Sequence, residues 1–294
     1  MPSYDYLTVD VFTATRFGGN PLAVFPDARG IDDDTMQALA AELNYSETTF
    51  VLPPEDPANS ARVRIFNRTA EMPFAGHPNV GTAFVLARLG RIAETAIRFE
   101  EVSGIVEVRL VKEGGEVAGA EIDAPQKLAL RHTLPIDAVA SCLSLAPAQI
   151  VVDRHGPVVA SVGVDFALVE ILPAALAEAA PDLGAFQRLS RAMPELAGRL
   201  SIFLYVIEQG DVRARMFAPL AGTWEDPATG SANATLAALR LQLSGGEDLS
   251  YEAVQGVEMG RPSRLDLRAW RTADGVRASV GGHCVAMFSG TVVL

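Results

Sequence analysis

Three side chains stand where proton chemistry can be done: Glu47, His77 and Asp226, with Glu225 as a rival beside the last. Glu47 lies in Asn44-Tyr45-Ser46-Glu47-Thr48-Thr49-Phe50-Val51, a carboxylate at the mouth of an apolar strand with polar, uncharged neighbours. A carboxylate entering a partly desolvated cleft becomes more basic and can both take and return a proton, as carbon-acid chemistry requires. His77 sits in Ala75-Gly76-His77-Pro78, and Asp226 precedes Pro227-Ala228-Thr229-Gly230-Ser231; each motif heads a small-residue run of helical character. Unpaired N–H groups at such helix starts, with the positive end of the macrodipole, offer a seat for a substrate carboxylate at Gly76 and at Gly230-Ser231. The simpler reading is N-capping by Asn79, Ser231 or Thr229, with Glu47 an exposed strand-end acid and His77 a structural turn residue.

The two glycine motifs belong to a duplication. Arg62-Val63-Arg64-Ile65-Phe66 recurs as Arg213-Ala214-Arg215-Met216-Phe217 at an offset of 151, and Phe99-Glu100-Glu101-Val102-Ser103-Gly104 recurs as Tyr251-Glu252-Ala253-Val254-Gln255-Gly256 at an offset of 152. Between these anchors Ala75-Gly76-His77-Pro78 aligns with Pro227-Ala228-Thr229-Gly230, and upstream Gly19-Asn20-Pro21-Leu22-Ala23-Val24 loosely matches Gly163-Val164-Asp165-Phe166-Ala167-Leu168. The segment Ser201-Ile202-Phe203-Leu204-Tyr205-Val206, which corresponds to the Glu47 strand, has no carboxylate at the matching place. Two packed halves would leave a cleft, and small-molecule sites favour such interfaces.

The elements that must position these residues follow from periodicity. Tyr4 to Phe12 alternates as a strand, Leu22 to Phe25 is its neighbour after the Gly18-Gly19 bend, and Asp32 or Asp33 caps a helix that stops at Asn44. Strands follow at Thr48 to Leu52 and Arg62 to Phe66. Val80 to Leu89, thin because of Gly81, Ala83 and Ala87, reads as a central helix enclosed by strands and ended by Gly90. The second half repeats the plan: strands near Gln149 to Val152 and Phe166 to Ile171, a helix near Leu183 to Ala192, strands at Ile202 to Ile207 and Val212 to Phe217, and an enclosed helix Ala232 to Leu241. Pro125 to Leu134 is the linker candidate. The expectation is an α+β protein of two lobes, residues 1–128 and 129–294, with the N-terminal strand or the C-terminal strands able to cross between them.

Composition narrows the function classes. The chain has 294 residues, 49% hydrophobic and 20% charged, which is globular and of two-lobe size. A net charge of −12, without a basic stripe, excludes nucleic acid as a partner. The N-terminus lacks a leader pattern and no run of 18 apolar residues exists, so a cytoplasmic protein with no membrane partner is expected. Cys142 and Cys284 lie in separate halves with no CxxC, and the four histidines form no HxH or HExxH, so neither a disulfide framework nor a metal site is expected. No GxGxxG, Walker or GxSxG motif appears, which leaves no dinucleotide cofactor, phosphate-loop or serine-hydrolase reading.

Val9-Asp10-Val11-Phe12 with Gly18-Gly19-Asn20-Pro21, the Glu47 segment, Pro73-Phe74-Ala75-Gly76-His77-Pro78, Glu225-Asp226-Pro227-Ala228-Thr229-Gly230-Ser231-Ala232 and Gln255-Gly256-Val257-Glu258-Met259-Gly260-Arg261-Pro262-Ser263 together resemble the PhzF-like phenazine-biosynthesis isomerase family. The resemblance spans nearly the whole chain. It implies the diaminopimelate epimerase-like fold, in which each of two pseudo-symmetric lobes is a β-barrel-like sheet around a central helix. It also implies a homodimer, no cofactor, and proton shifting on a small carboxylate-bearing substrate such as trans-2,3-dihydro-3-hydroxyanthranilate. By the same resemblance Glu47 matches the catalytic glutamate, and His77, Asp226 and Ser231 match supporting site positions. Glu47, Asp226 and His77 are thus the expected catalytic residues, and Asn20, Gly76, Gly230 and Ser231 the expected substrate contacts. Related racemases carry a cysteine on each glycine turn; here those places fall near Ala75 and near Asp226-Pro227, which disfavours a two-thiol mechanism. An epimerase with carboxylate bases, or a catalytically silent binding dimer, are the alternatives.

Overall fold

A computed structural model describes residues 1–92 and 96–294. They fall into two compact units, Met1–Asp123 with Val280–Leu294, and Ala124–Ser279. The chain leaves the first unit after Asp123, ahead of the junction at 128/129 expected from sequence, and residues 280–294 return to it.

The first unit contains β1 (Ser3–Val11), β2 (Asn20–Phe25), α1 (Asp33–Leu43), β3 (Glu47–Leu52), β4 (Ala61–Asn67), β5 (Glu71–Met72), α2 (Gly76–Arg88), β6 (Ala96–Glu101), β7 (Gly104–Glu113) and β8 (Glu116–Asp123). Its strands run β1-β2-β3-β4-β6-β7-β8, and the long final strand of the chain, Gly275–Val293, pairs with both β8 and β1 to close a ring of eight. Two neighbours, β2–β3 and β4–β6, are parallel. Parallel neighbours need a crossover, and α1 and α2 supply the two. Helix α1 begins at an Asp32 side chain that accepts from the Thr35 N–H and stops at Asn44 in the left-handed conformation, φ 55°. It covers the outer side of the ring over Phe25, Phe50 and Phe66.

Helix α2 is the axis of this barrel. Every residue from Gly76 to Leu86 is buried, and the helix packs on β1, β2, β3, β7 and β8. Gly81 makes that enclosure possible: a Cβ there would stand 2.6 Å from Leu22 Cδ2 and 2.8 Å from Val11 Cγ2. The helix starts earlier than expected. Gly76-His77-Pro78 forms its first turn instead of a preceding loop, because a proline in the first turn lacks only an N–H that would have no intrahelical partner.

The second unit contains β9 (Ala129–Thr133), α3 (Ile136–Cys142), β10 (Val158–Ser161), β11 (Asp165–Glu170), α4 (Ala175–Glu178), α5 (Leu183–Ala192), β12 (Ile202–Glu208), β13 (Asp211–Phe217), α6 (Gly230–Ser244), β14 (Asp248–Gln255), β15 (Ser263–Thr272) and the start of β16 (Gly275–Val293). Its order is β16-β15-β14-β13-β12-β11-β10-β9. Bonds from Ala124 N to Ala278 O and from Leu128 N to Val276 O bring the ends of that order together. The parallel pairs recur as β11–β12 and β13–β14, with α6 packed on β10, β11, β14 and β15. Each unit is therefore an α+β lobe of strands around one central helix.

Two further expectations fail here. Gln149 to Val152 is not a strand: a 3-10 turn at Pro147–Gln149 leads to a single bridge, Ile150 to Ile171. The supposed linker Pro125 to Leu134 contains β9, which pairs with β10. With Pro125 outside it, residues 129–133 keep every N–H for the ladder.

Candidate active site

In the first unit, Glu47 opens β3 between Leu22 on β2 and Asn67 on β4, so its backbone is fixed from both sides. Its side chain is 17% exposed, and Oε2 stands 3.4 Å from His77 Nε2, whose side chain is 6% exposed. The helix that carries His77 is tied to the strand that carries Glu47 by the Thr49–Thr82 hydroxyl contact of 2.8 Å. Burial pushes the His77 pKa down to about 3. The carboxylate alone would favour the imidazolium, but desolvation of the cation dominates, so the imidazole is neutral. The separation exceeds that of a good hydrogen bond.

The first turn of α2 has no side-chain cap: Ala75 is the N-cap, and Asn79 Nδ2 donates to Ala75 O instead. Helix α6 is alike, with Thr229 as N-cap, no side-chain cap bond, and Asn233 Nδ2 donating to Thr229 O. The capping role considered for Asn79, Ser231 and Thr229 is therefore not played. Gly76 and Gly230 are buried, Ser231 is half-buried and Asn20 is fully buried at the head of β2.

In the second unit Asp226, 8% exposed, is held by a relay. Thr229 Oγ1 donates to Asp226 Oδ2 at 2.6 Å. Gln255 Oε1 accepts from Thr229 N–H at 3.0 Å and from Asn233 Nδ2 at 2.9 Å, while Gln255 Nε2 donates to Asp226 O at 2.7 Å and to Thr229 Oγ1 at 3.0 Å. Gly256 follows in the left-handed region, φ 77°, where a Cβ would stand 2.6 Å from Pro227 O. Glu225 is taken by Arg215 through both oxygens, at 2.8 and 2.9 Å, which assigns it to the scaffold.

The duplication is sharper in space than in sequence. Arg64 binds Glu71 and lies over Phe66, as Arg215 binds Glu225 and lies over Phe217. Met72 faces Ile65 across β4–β5, as the Asp226 N–H bonds Met216 O, so Met72 stands where Asp226 does. Ser201, just ahead of β12, stands where Glu47 does, because Ala23 pairs with Thr48 and Ala167 with Ile202. Each unit thus retains an acid that the other lacks. The helix starts, Gly76 and Gly230, are 154 residues apart, and so are Asn79 and Asn233. The sequence alignment of the glycine motifs ran two residues out of this register, which hid Asn233 and Gln255; identical asparagines four residues after each N-cap were the signal for the true one.

Both cysteines are buried and free. Burial pushes the Cys142 thiol up to about 12 and raises Cys284 as well, so both are poor thiolates. Among the described residues no group of three His, Cys, Asp or Glu side chains is placed to hold a metal, and no helix is long and apolar enough to cross a membrane.

Each unit is a barrel-like lobe around a central helix, and the first carries a strand-end glutamate beside a neutral imidazole. The chain belongs to the PhzC-PhzF family of phenazine biosynthesis-like proteins, whose model matches residues 9–290. It is 38% identical to an uncharacterized isomerase of Mesorhizobium japonicum, over 100% of both chains. It is 35% identical to the trans-2,3-dihydro-3-hydroxyanthranilate isomerase of Pseudomonas aeruginosa, over 98% of this chain and 99% of that one. In fold it matches the PhzF-family phenazine biosynthesis protein of Bacillus anthracis with a TM-score of 0.89, at 20% identity and over 100% of both chains. The protein is an isomerase of this family.

Proposed function

We propose that this isomerase moves a proton between carbon atoms of a small carboxylate-bearing substrate related to trans-2,3-dihydro-3-hydroxyanthranilate, and that Glu47 takes and returns the proton. The observation that carries the reading is Glu47 at the head of β3, 3.4 Å from a buried, neutral His77. A carboxylate there acts as base on one carbon and, once protonated, as acid on another. His77 and Asp226 bind polar groups and stabilise developing charge; the uncapped first turns at Gly76 and at Gly230-Ser231 receive the substrate carboxylate, with Asn20 as a further contact. We also assign the protein to the cytoplasm as a homodimer, on the resemblance to its family.

The test is Glu47→Gln, which keeps shape and hydrogen bonding but removes the basic lone pair. With trans-2,3-dihydro-3-hydroxyanthranilate as substrate, kcat should fall by roughly 10²-fold or more while binding survives. Wild-type product formed in D₂O should carry less than full deuterium if one carboxylate both takes and returns the proton. A fully active Glu47→Gln enzyme would remove Glu47 from the mechanism and pass the base role to Asp226.

A further inference from the structure

The spatial register of the duplication places one more pair. Glu101, the last residue of β6, lies 154 residues before Gln255, the last residue of β14, the same spacing that separates Gly76 from Gly230, Asn79 from Asn233 and Met72 from Asp226. Gln255 is the pin of its loop, with acceptor and donor atoms both used. An ionised glutamate in that seat would have acceptors only. Both Glu101 oxygens are buried without a hydrogen bond of good geometry, and the side chain's polar neighbour is Asn79.

Among the described residues, no charge nearby compensates. On β4, Arg64 is engaged by Glu71 and Asp33, and Arg62 by Glu55. On β6, Glu100 accepts from the N–H groups of Glu55 and Asp56 and from Asn59. On β7 the residues opposite, Gly104 and Ile105, are uncharged, and on α2 the histidine is neutral. Burial accordingly drives the Glu101 carboxyl up to about 8.

We propose that Glu101 is held as the neutral acid and fills, for the helix carrying His77, the seat that Gln255 fills for the helix behind Asp226. Its O–H supplies the donor that a carboxylate lacks, and its carbonyl oxygen faces Asn79 as Gln255 Oε1 faces Asn233. Glu101 is then a positioning residue for the first turn of α2; that consequence for His77 rests on the catalytic reading above, whereas the protonation state does not.

Thermal unfolding of wild type, Glu101→Gln and Glu101→Ala across pH, without substrate, tests it. In the unfolded chain the carboxyl titrates near 4.5 and in the fold near 8, so the folded state holds the extra proton and wild-type stability falls as pH rises through that window. Glu101→Gln should match wild type near pH 5 and lose roughly 10²-fold less of its folding equilibrium by pH 8. Glu101→Ala should be less stable than both near pH 5. Parallel pH curves for wild type and Glu101→Gln, or a Gln variant as unstable as the Ala variant, would overturn the proposal. Carboxyl ¹³C resonances of the wild-type protein give a reading independent of the variants' folding. One glutamate carboxyl titrating near 8 supports the neutral acid, and full ionisation of every glutamate by about pH 6 sinks it.

Discussion

His77 stands 3.4 Å from Glu47 as a neutral imidazole, and burial is the reason. An isolated imidazole takes its proton near 6.5, whereas His77 in the fold does so only near 3. Between those values the unfolded chain binds a proton that the folded chain refuses. The stability tied to neutral His77 is therefore present above 6.5 and lost as pH falls toward 3. Replacing His77 by Gln removes this dependence, so the variant's melting temperature should decline less steeply than that of wild type on acidification. Identical acid limbs in calorimetry would show that His77 is charged in the fold. The two acids that set this protein apart from a symmetric duplicate, Glu47 against Ser201 and Asp226 against Met72, are single-residue differences on matching frames.

At the level of elements, the two central helices share a construction: an uncapped first turn, an asparagine bonding back to the N-cap carbonyl, and an Arg–carboxylate clasp in the segment ahead of the helix. What differs is the pin at the strand end. Gln255→Leu would leave the Thr229 N–H and the Asp226 carbonyl without their partner in a buried setting, a loss of about 2–3 kcal/mol. It would also free the Thr229 hydroxyl that holds Asp226, so turnover should fall even where the protein remains folded. Thr229→Val isolates the second effect. Unchanged melting of Gln255→Leu would remove the relay from the account.

For the whole chain, the consequential fact is that the first unit is discontinuous. Its ring closes only when Val280–Leu294 pairs with β1, in register from Val11–Cys284 to Ser3–Val293. A fragment of residues 1–123 would expose two open strand edges around α2 and should not fold alone. Adding a peptide of residues 280–294 should restore structure, read by circular dichroism. A folded, monomeric 1–123 fragment would contradict the closed ring.

Sequence alone determined the duplication, most strands and helices α1 and α5, because period-2 and period-3.6 patterns and glycine motifs are local signals, and the same local signals singled out Glu47, His77 and Asp226 as the candidates proposed above. It misplaced the start of α2, since a Gly-His-Pro tripeptide reads as a turn unless one knows that a proline is tolerated within a helix's first turn. It could not pair Glu101 with Gln255, for a three-residue difference in the loops ahead of the central helices shifts the register and only strand pairing reveals the true one. That His77 is neutral, that Glu225 belongs to Arg215 and that the last strand closes the first barrel were decided by tertiary structure. Desolvation, ion pairing and sheet closure depend on which distant residues enclose a group, and no local pattern carries that information.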